Sequence, residues 1–263
     1  MWILMKNKLK TLLTIAGSDP MGGAGIQADI RVGISMGFHI VSAITAVTSQ
    51  NSRKLESLGV CNPHILKAQL DCISEDLIPD GIKIGIVGSV ENAIVISEYI
   101  KNLDKAIPIV VDPVLSVSAA GESFENHFDL IDSYKNWIFP YATVITPNLQ
   151  EWENINELKL NCAVVVKGGH SLNDEIEDLL ITPKDNYKIS HSRIQCLNLH
   201  GTGCVFSSFL ACYLALGYDI PESFKLTSDK MNKIIRRSID YSLGNSLNGP
   251  LNINEYKYEC FHK

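Results

Sequence analysis

Apolar and polar positions alternate along the chain in two rhythms. Short, almost wholly apolar runs ("KTLLTIAG", "HIVSAITAVTS", "IKIGIVG", "IPIVVDP", "TVIT", "AVVVKGG") read as strands buried on both faces. Between them lie segments with helical periodicity. One runs from about Gly25 to Met36. A second is "NPHILKAQLDCISEDL", with Asn62 as N-cap and Pro63 at the first helical position. A third is "VENAIVISEYIKNL" after a capping Ser89, and a fourth is "NHFDLIDSYKNWIF". This strand–helix order predicts an α/β fold, with a mainly parallel central sheet and helices on both faces. After Gly169 the rhythm changes. "EDLLIT" and "NYKISHSRI" read as antiparallel edge strands, and "LTSDKMNKIIRRSIDYSL" as a final helix. No repeat or linker divides residues 1–263, so a single domain is expected.

The segment "HGTGCVFSSFLACYLALG" departs from both rhythms. Val205 to Leu216 read as a helix apolar nearly all round, hence buried. His200 to Cys204 form a turn against its start, where no ordinary cap residue satisfies the first N–H groups. Two glycines one residue apart let the backbone approach another group closely, and a helix N-terminus favours an anion. Gly201, Thr202, Gly203 and Cys204 are therefore candidates for holding a negative charge beside a thiol.

Other candidates fall where parallel strands end, the usual ligand edge of such sheets. Asp112 ends "IVVDP". Asn148 and Glu151 share a face at a helix start in "PNLQE". Asp112 and Glu151 suit Mg2+ held through water, although Glu151 equally reads as a carboxylate in a first helical turn. Lys167 emerges at a strand end before Gly168-Gly169, which leave room for a phosphate. "SDPMGGAGIQAD" matches neither common phosphate-loop spacing and can be read as a flexible lid.

Composition narrows the classes. The 263 residues are 46% hydrophobic and 20% charged, ordinary for a globular chain. A net charge of −6 argues against nucleic-acid partners. The seven cysteines (61, 72, 162, 196, 204, 212 and 260) form no C-x-x-C pair, which argues against a disulfide framework or zinc site. His39, His64, His127, His170 and His191 show no metal spacing. No run is long enough for a membrane span, and "MWILMKNKLK" does not read as a signal peptide; a cytoplasmic protein is expected.

The motifs "TIAGSDPMGGAGIQADI", "SAITAVTSQN", "KIGIVG", "VVDPVL", "ITPNLQE", "VVVKGGH", "HGTGC" and "NGPLN" occur in this order between Thr14 and Asn252. In this the chain resembles the hydroxymethylpyrimidine and phosphomethylpyrimidine kinases of thiamine biosynthesis, members of the ribokinase-like superfamily. The resemblance implies a three-layer ribokinase-like domain and ATP with Mg2+. It also implies successive phosphorylation of an aminopyrimidine alcohol and its monophosphate, and a homodimer. On the same ground Ala24, Asp29, Gln50, Ile86 and Val114 line the pyrimidine pocket, Asn148, Lys167 and Gly169 meet the nucleotide, and the 201–204 turn holds the phosphoryl in flight.

Cys204 stands where many superfamily relatives carry a basic aspartate. A helix N-terminus is expected to lower its pKa and supply some thiolate; the other reading is a small space-filling residue. Three features depart from the family pattern. "SVSAAGESF" lacks a lysine common there, the crossover after "PNLQE" is reduced to roughly "WENINELKL", and "LGNSLNGPLN" is poor in glycine. A pyridoxal-type kinase and a weakly catalytic pyrimidine-phosphate sensor remain alternatives.

Overall fold

The computed structural model describes residues 9–51, 53–103, 106–115, 127–170, 174–240, 243 and 248–254. In chain order the elements are β1 (Thr11–Ser18), α1 (Gly25–Ser35), β2 (His39–Gln50), β3 (Leu55–Val60), α2 (Pro63–Asp76), β4 (Gly81–Ile84), α3 (Val90–Lys101) and β5 (Ile109–Val111). Then follow α4 (His127–Ser133), β6 (Val144–Ile145), α5 (Leu149–Ile155), β7 (Ala163–Val166), β8 (Glu175–Ile181), β9 (Asn186–Ser192), α6 (Thr202–Ala215) and α7 (Ile220–Arg237).

The nine described strands form one sheet in the order β3-β2-β1-β4-β5-β6-β7-β8-β9. All neighbours from β2 to β7 are parallel, whereas β3, β8 and β9 pair antiparallel at the edges. Buried side chains form one core with α2 to α5 and a second with α1, α6 and α7. Alternate residues of β1 feed the two: Leu13 and Ile15 enter one and Leu12 the other. The fold is thus the expected three-layer ribokinase-like arrangement.

Local chemistry sets the helix starts. Asn62 Oδ1 accepts from His64 N at 2.9 Å, with Pro63 in the first turn of α2. Ser89 Oγ accepts from Asn92 N at 3.2 Å at the head of α3.

Three expectations require correction, and one strand is new. β3 adds a strand that its sequence, "LESLGV", does not announce, because the strand is largely exposed and carries no clean alternation. The helix expected through "NHFDLIDSYKNWIF" keeps α-geometry only to Ser133. It then widens into a π-turn over Tyr134–Ile138 and tightens at Pro140. There Tyr134 Oη donates to Gly85 O at 2.8 Å, bracing the helix against the end of β4. α7 begins at Ile220 rather than near Leu226, because Asp219 caps it by accepting from Glu222 N at 2.8 Å and Pro221 is tolerated in a first turn. α6 begins at Thr202, inside the supposed turn. The short crossover keeps a helix, α5, between β6 and β7. "SVSAAGESF" and residues 244–247 of "LGNSLNGPLN" lie outside the described residues.

Candidate active site

The carboxyl ends of β1, β5, β6 and β7 open toward the start of α6. Gly201 is the N-cap of that helix, with left-handed φ of 81° and no side-chain cap. Only glycine fits this position readily, because a Cβ there would also overlap the carbonyl of Gly23. The two glycine-rich segments therefore touch backbone to backbone. A Cβ on Gly203 would lie 3.1 Å from Lys167 Nζ and 3.7 Å from Asp112 Oδ2. The bare backbone at 203 thus faces a cation across a space one small group would fill, at the N-terminus of a 14-residue helix. That arrangement suits a phosphoryl group.

Opposite the turn, Lys167 Nζ donates to Asp112 Oδ1 at 2.6 Å. Thr146 Oγ1 donates to the same oxygen at 3.3 Å, while Asp112 Oδ2 has a longer contact, 3.5 Å, with Ser207 Oγ. Burial opposes ionisation of Asp112, but Lys167 and then Lys83 hold its pKa below the usual value. Burial also opposes the charge on Lys167, yet Asp112 and Glu151 raise its pKa.

Glu151 forms a full capping box with Asn148. Its Oε2 accepts from Asn148 N at 2.9 Å, and Asn148 Oδ1 accepts from Glu151 N at 2.8 Å. Burial pushes the Glu151 carboxyl up to about 7, Asp112 adds to this, and Lys167 opposes it. Glu151 is thus the helix-start carboxylate that one reading expected, and it also lies in the field of Asp112 and Lys167.

The glycine pair after Lys167 divides its labour. A Cβ on Gly168 would overlap Glu177 O, so this glycine serves packing against β8, whereas Gly169 faces open space.

The "SDPMGGAG" loop is not a free lid. Asp19 Oδ1 accepts from Met21 N at 2.9 Å, and Oδ2 accepts from Gly23 N at 3.0 Å and Ala24 N at 2.8 Å. His200 Nε2 lies 2.9 Å from the same Oδ2. Burial would raise the Asp19 pKa, but His200 and the Met21 and Ala24 N–H groups outweigh it and lower the value to about 2. The pair fastens the loop to the 201–204 turn. Sequence reading missed it because its members are 181 residues apart and His200 resembles a plain turn residue.

Two pocket expectations change. Asp29 is 0% exposed; Oδ2 accepts from Thr14 Oγ1 at 2.5 Å and Lys83 Nζ at 3.1 Å, and Oδ1 accepts from Ser208 Oγ at 2.6 Å. It therefore sits beneath the site rather than on a pocket wall. The Ala24 N–H is committed to Asp19, and its carbonyl accepts from Ala28 N at 3.2 Å. Ile86 is buried against Gly17, and Val114 is half-buried beyond β5. Gln50 ends β2 beside a cleft of about 270 Å³ lined by Pro20, Ser49, Asn51, Lys54 and Glu56. Its Oε1 is buried without a hydrogen-bond partner among the described residues. A buried acceptor left open is costly unless a ligand fills it.

Cys204 does not behave as expected from its helix position. Burial dominates and pushes the thiol up to about 11; Lys83 opposes this and Asp112 and Asp29 reinforce it. The thiol is neutral at physiological pH, which favours space-filling over proton abstraction. Cys204→Ala is expected to keep turnover within about tenfold, against a hundredfold or more for loss of a general base. The parent rate should stay flat between about pH 8 and 9.5, above the Glu151 carboxyl's range and below the thiol's. A rate rising tenfold per pH unit across that interval would restore the base.

No described helix is long and apolar enough to cross a membrane. Among the described residues no cluster of three His, Cys, Asp or Glu side chains can hold a metal alone. Asp112 and Glu151 nonetheless present oxygen ligands that suit Mg2+ shared with waters and phosphates.

The profile of the family described as phosphomethylpyrimidine kinase matches residues 19–252. A Bacillus subtilis hydroxymethylpyrimidine/phosphomethylpyrimidine kinase is 33% identical, with 91% of this chain and 93% of that protein covered. The fold superposes on a phosphomethylpyrimidine kinase from Clostridium difficile with TM-score 0.71 and 31% identity, covering 85% of this chain and 98% of that one. It also superposes on the Staphylococcus aureus pyridoxal kinase with TM-score 0.82 and 26% identity, covering 96% of each. With this coverage, and with the glycine turn, Lys167 and Asp112 meeting at one end of the sheet, the chain belongs to the phosphomethylpyrimidine kinase family.

Proposed function

We propose that this kinase transfers the γ-phosphoryl group of ATP to the hydroxymethyl oxygen of 4-amino-5-hydroxymethyl-2-methylpyrimidine, and then phosphorylates the resulting monophosphate. The observation that carries the substrate reading is the Gln50 amide lining an open cleft, with an Oε1 that has no hydrogen-bond partner among the described residues. An exocyclic amine donates to such an acceptor, and the Gln50 amide group can donate to an adjacent ring nitrogen. Ala24, Ile86 and Val114 complete the pocket in this reading, with Asp29 supporting it from below.

Transfer needs position more than covalent help, because the transition state is loose and its charge is spread over the phosphoryl oxygens. The N–H groups at the head of α6 face that charge from one side and Lys167 from the other. Asn148 and Gly169 flank the phosphate end of the nucleotide. The alcohol oxygen attacks phosphorus, ADP leaves, and the alcohol proton departs late to a phosphoryl oxygen, so no strong base is required. Asp112 and Glu151 would hold Mg2+ through water, and the ion would supply charge neutralisation on the triphosphate. Asp112→Asn and Glu151→Gln should each raise the magnesium needed for half-maximal rate without weakening pyrimidine binding. Unchanged magnesium dependence in both variants would remove them from this role.

The protein is read as one cytoplasmic kinase domain acting as a homodimer; light scattering at twice the chain mass would support the dimer. The likeness to the pyridoxal kinase fold favours one second reading, pyridoxal as a substrate of the same site. An ATP-consumption assay with each alcohol separates the two substrates. ATP consumption with neither would leave only a phosphate-binding sensor.

A further inference from the structure

β4 lies in the middle of the sheet, and all four of its residues are buried. Three are Gly81, Ile82 and Ile84. The other is Lys83, 0% exposed. An isolated ammonium in such a place is strongly unfavourable, so a partner is required. That partner is Asp29, also 0% exposed, with Lys83 Nζ 3.1 Å from Oδ2. Burial opposes the charge on Lys83, but the Asp29 carboxylate, supported by Asp112, keeps it protonated.

The ammonium runs forward along the strand. A Cβ on Gly85, just past the end of β4, would lie 2.9 Å from Nζ. Lys83 thus reaches the carboxyl edge of the sheet, under the site. Asp29 in turn accepts from Thr14 on β1 and from Ser208 on α6. Ser208 lies one turn after Cys204, and its Oγ is 2.8 Å from the Cys204 carbonyl. The hydroxyl has one hydrogen, and its shorter contact is Asp29 Oδ1 at 2.6 Å. One carboxylate therefore joins β1, β4, α1 and α6 directly beneath the glycine turn.

A buried ion pair is weak evidence for stability, since apolar residues of similar volume often serve as well or better. Its place here suggests another use. We propose that Lys83 and Ser208 are positioning residues for phosphoryl transfer: they clamp Asp29 between β4 and α6 and so fix the first turn of α6. The inference rests on the kinase reading of that turn. Neither residue touches the reacting atoms. Their effect is on where the N–H groups stand, and a displacement of about 1 Å can cost on the order of a hundredfold in rate.

The test compares parent, Ser208→Ala, Ser208→Thr and Lys83→Met, using whichever of the aminopyrimidine alcohol or pyridoxal the parent phosphorylates faster. Ser208→Ala keeps the ion pair and removes only the tie to α6. It should lower kcat by about ten- to a hundredfold, with KM for both substrates within threefold of the parent and Tm little changed. Threonine at 208, which keeps the hydroxyl, should recover most of the lost kcat. Binding of ADP with aluminium fluoride and the alcohol should weaken in step with kcat, while binding of ADP alone should not. Lys83→Met should show the same split; if it does not fold, Ser208→Ala decides. Parent-like kcat in folded Ser208→Ala, or a loss that moves Tm and leaves kcat per folded molecule intact, overturns the proposal. A parent inactive on both alcohols would instead sink the kinase-substrate reading, and aluminium-fluoride binding would still decide this one.

Discussion

Gly203→Val is expected to lower kcat by about a hundredfold to a thousandfold, the usual cost of losing one preorganised donor to a developing oxyanion. The first added carbon would lie 3.1 Å from Lys167 Nζ, and valine's two methyls extend beyond it. They would occupy the space between the helix start and the lysine, the proposed path of the phosphoryl group. Gly203 is not among the glycines with positive φ, so the backbone itself tolerates a side chain. The variant should therefore fold, with a circular dichroism spectrum like the parent's, and fail in turnover. Near-normal kcat in a folded Gly203→Val protein would show that the phosphoryl group does not pass there.

The second large effect concerns substrate choice. A site built to hydrogen-bond a polar group rejects an analogue lacking it by around ten-thousandfold, because its own buried groups are then left unpaired. Pyridoxal has a hydroxymethyl group and a ring nitrogen but no exocyclic amine to meet Gln50 Oε1. Gln50→Leu removes the open acceptor. It should collapse the preference by orders of magnitude, mainly through a lower kcat/KM for the aminopyrimidine. Measuring kcat/KM for both alcohols in parent and variant checks this. A preference unchanged in Gln50→Leu would place the discriminating contact elsewhere.

Much of the architecture was legible because it rests on local signals. Continuous apolar runs gave β1, β4, β5 and β7, and the polar residues Asn62 and Ser89 marked two helix starts by their own hydrogen bonds. Asn148 and Glu151, three residues apart, were recognisable as a first turn, and the capping box bears this out. What escaped depends on distant partners. The carboxylate of Asp19 and the ring of His200 acquire meaning only when the fold brings them within 2.9 Å. Asp29 reads as a helix residue near a glycine loop, and nothing nearby in sequence announces Lys83 and Ser208 around it. Lys83 itself left a trace: a charge inside an otherwise apolar parallel strand must find a partner. Cys204 shows the opposite failure. The helix N-terminus was visible in the sequence, but the burial that outweighs it was not.

The central claim is that this site selects an aminopyrimidine alcohol and phosphorylates it from ATP. The most direct measurement is a competition in one reaction: parent protein, ATP, magnesium, and equal concentrations of 4-amino-5-hydroxymethyl-2-methylpyrimidine and pyridoxal, with both phosphorylated products quantified over time. The pyrimidine monophosphate should dominate from the first time points and then give way to the diphosphate. Pyridoxal phosphate forming as fast as the pyrimidine product, or faster, would contradict it.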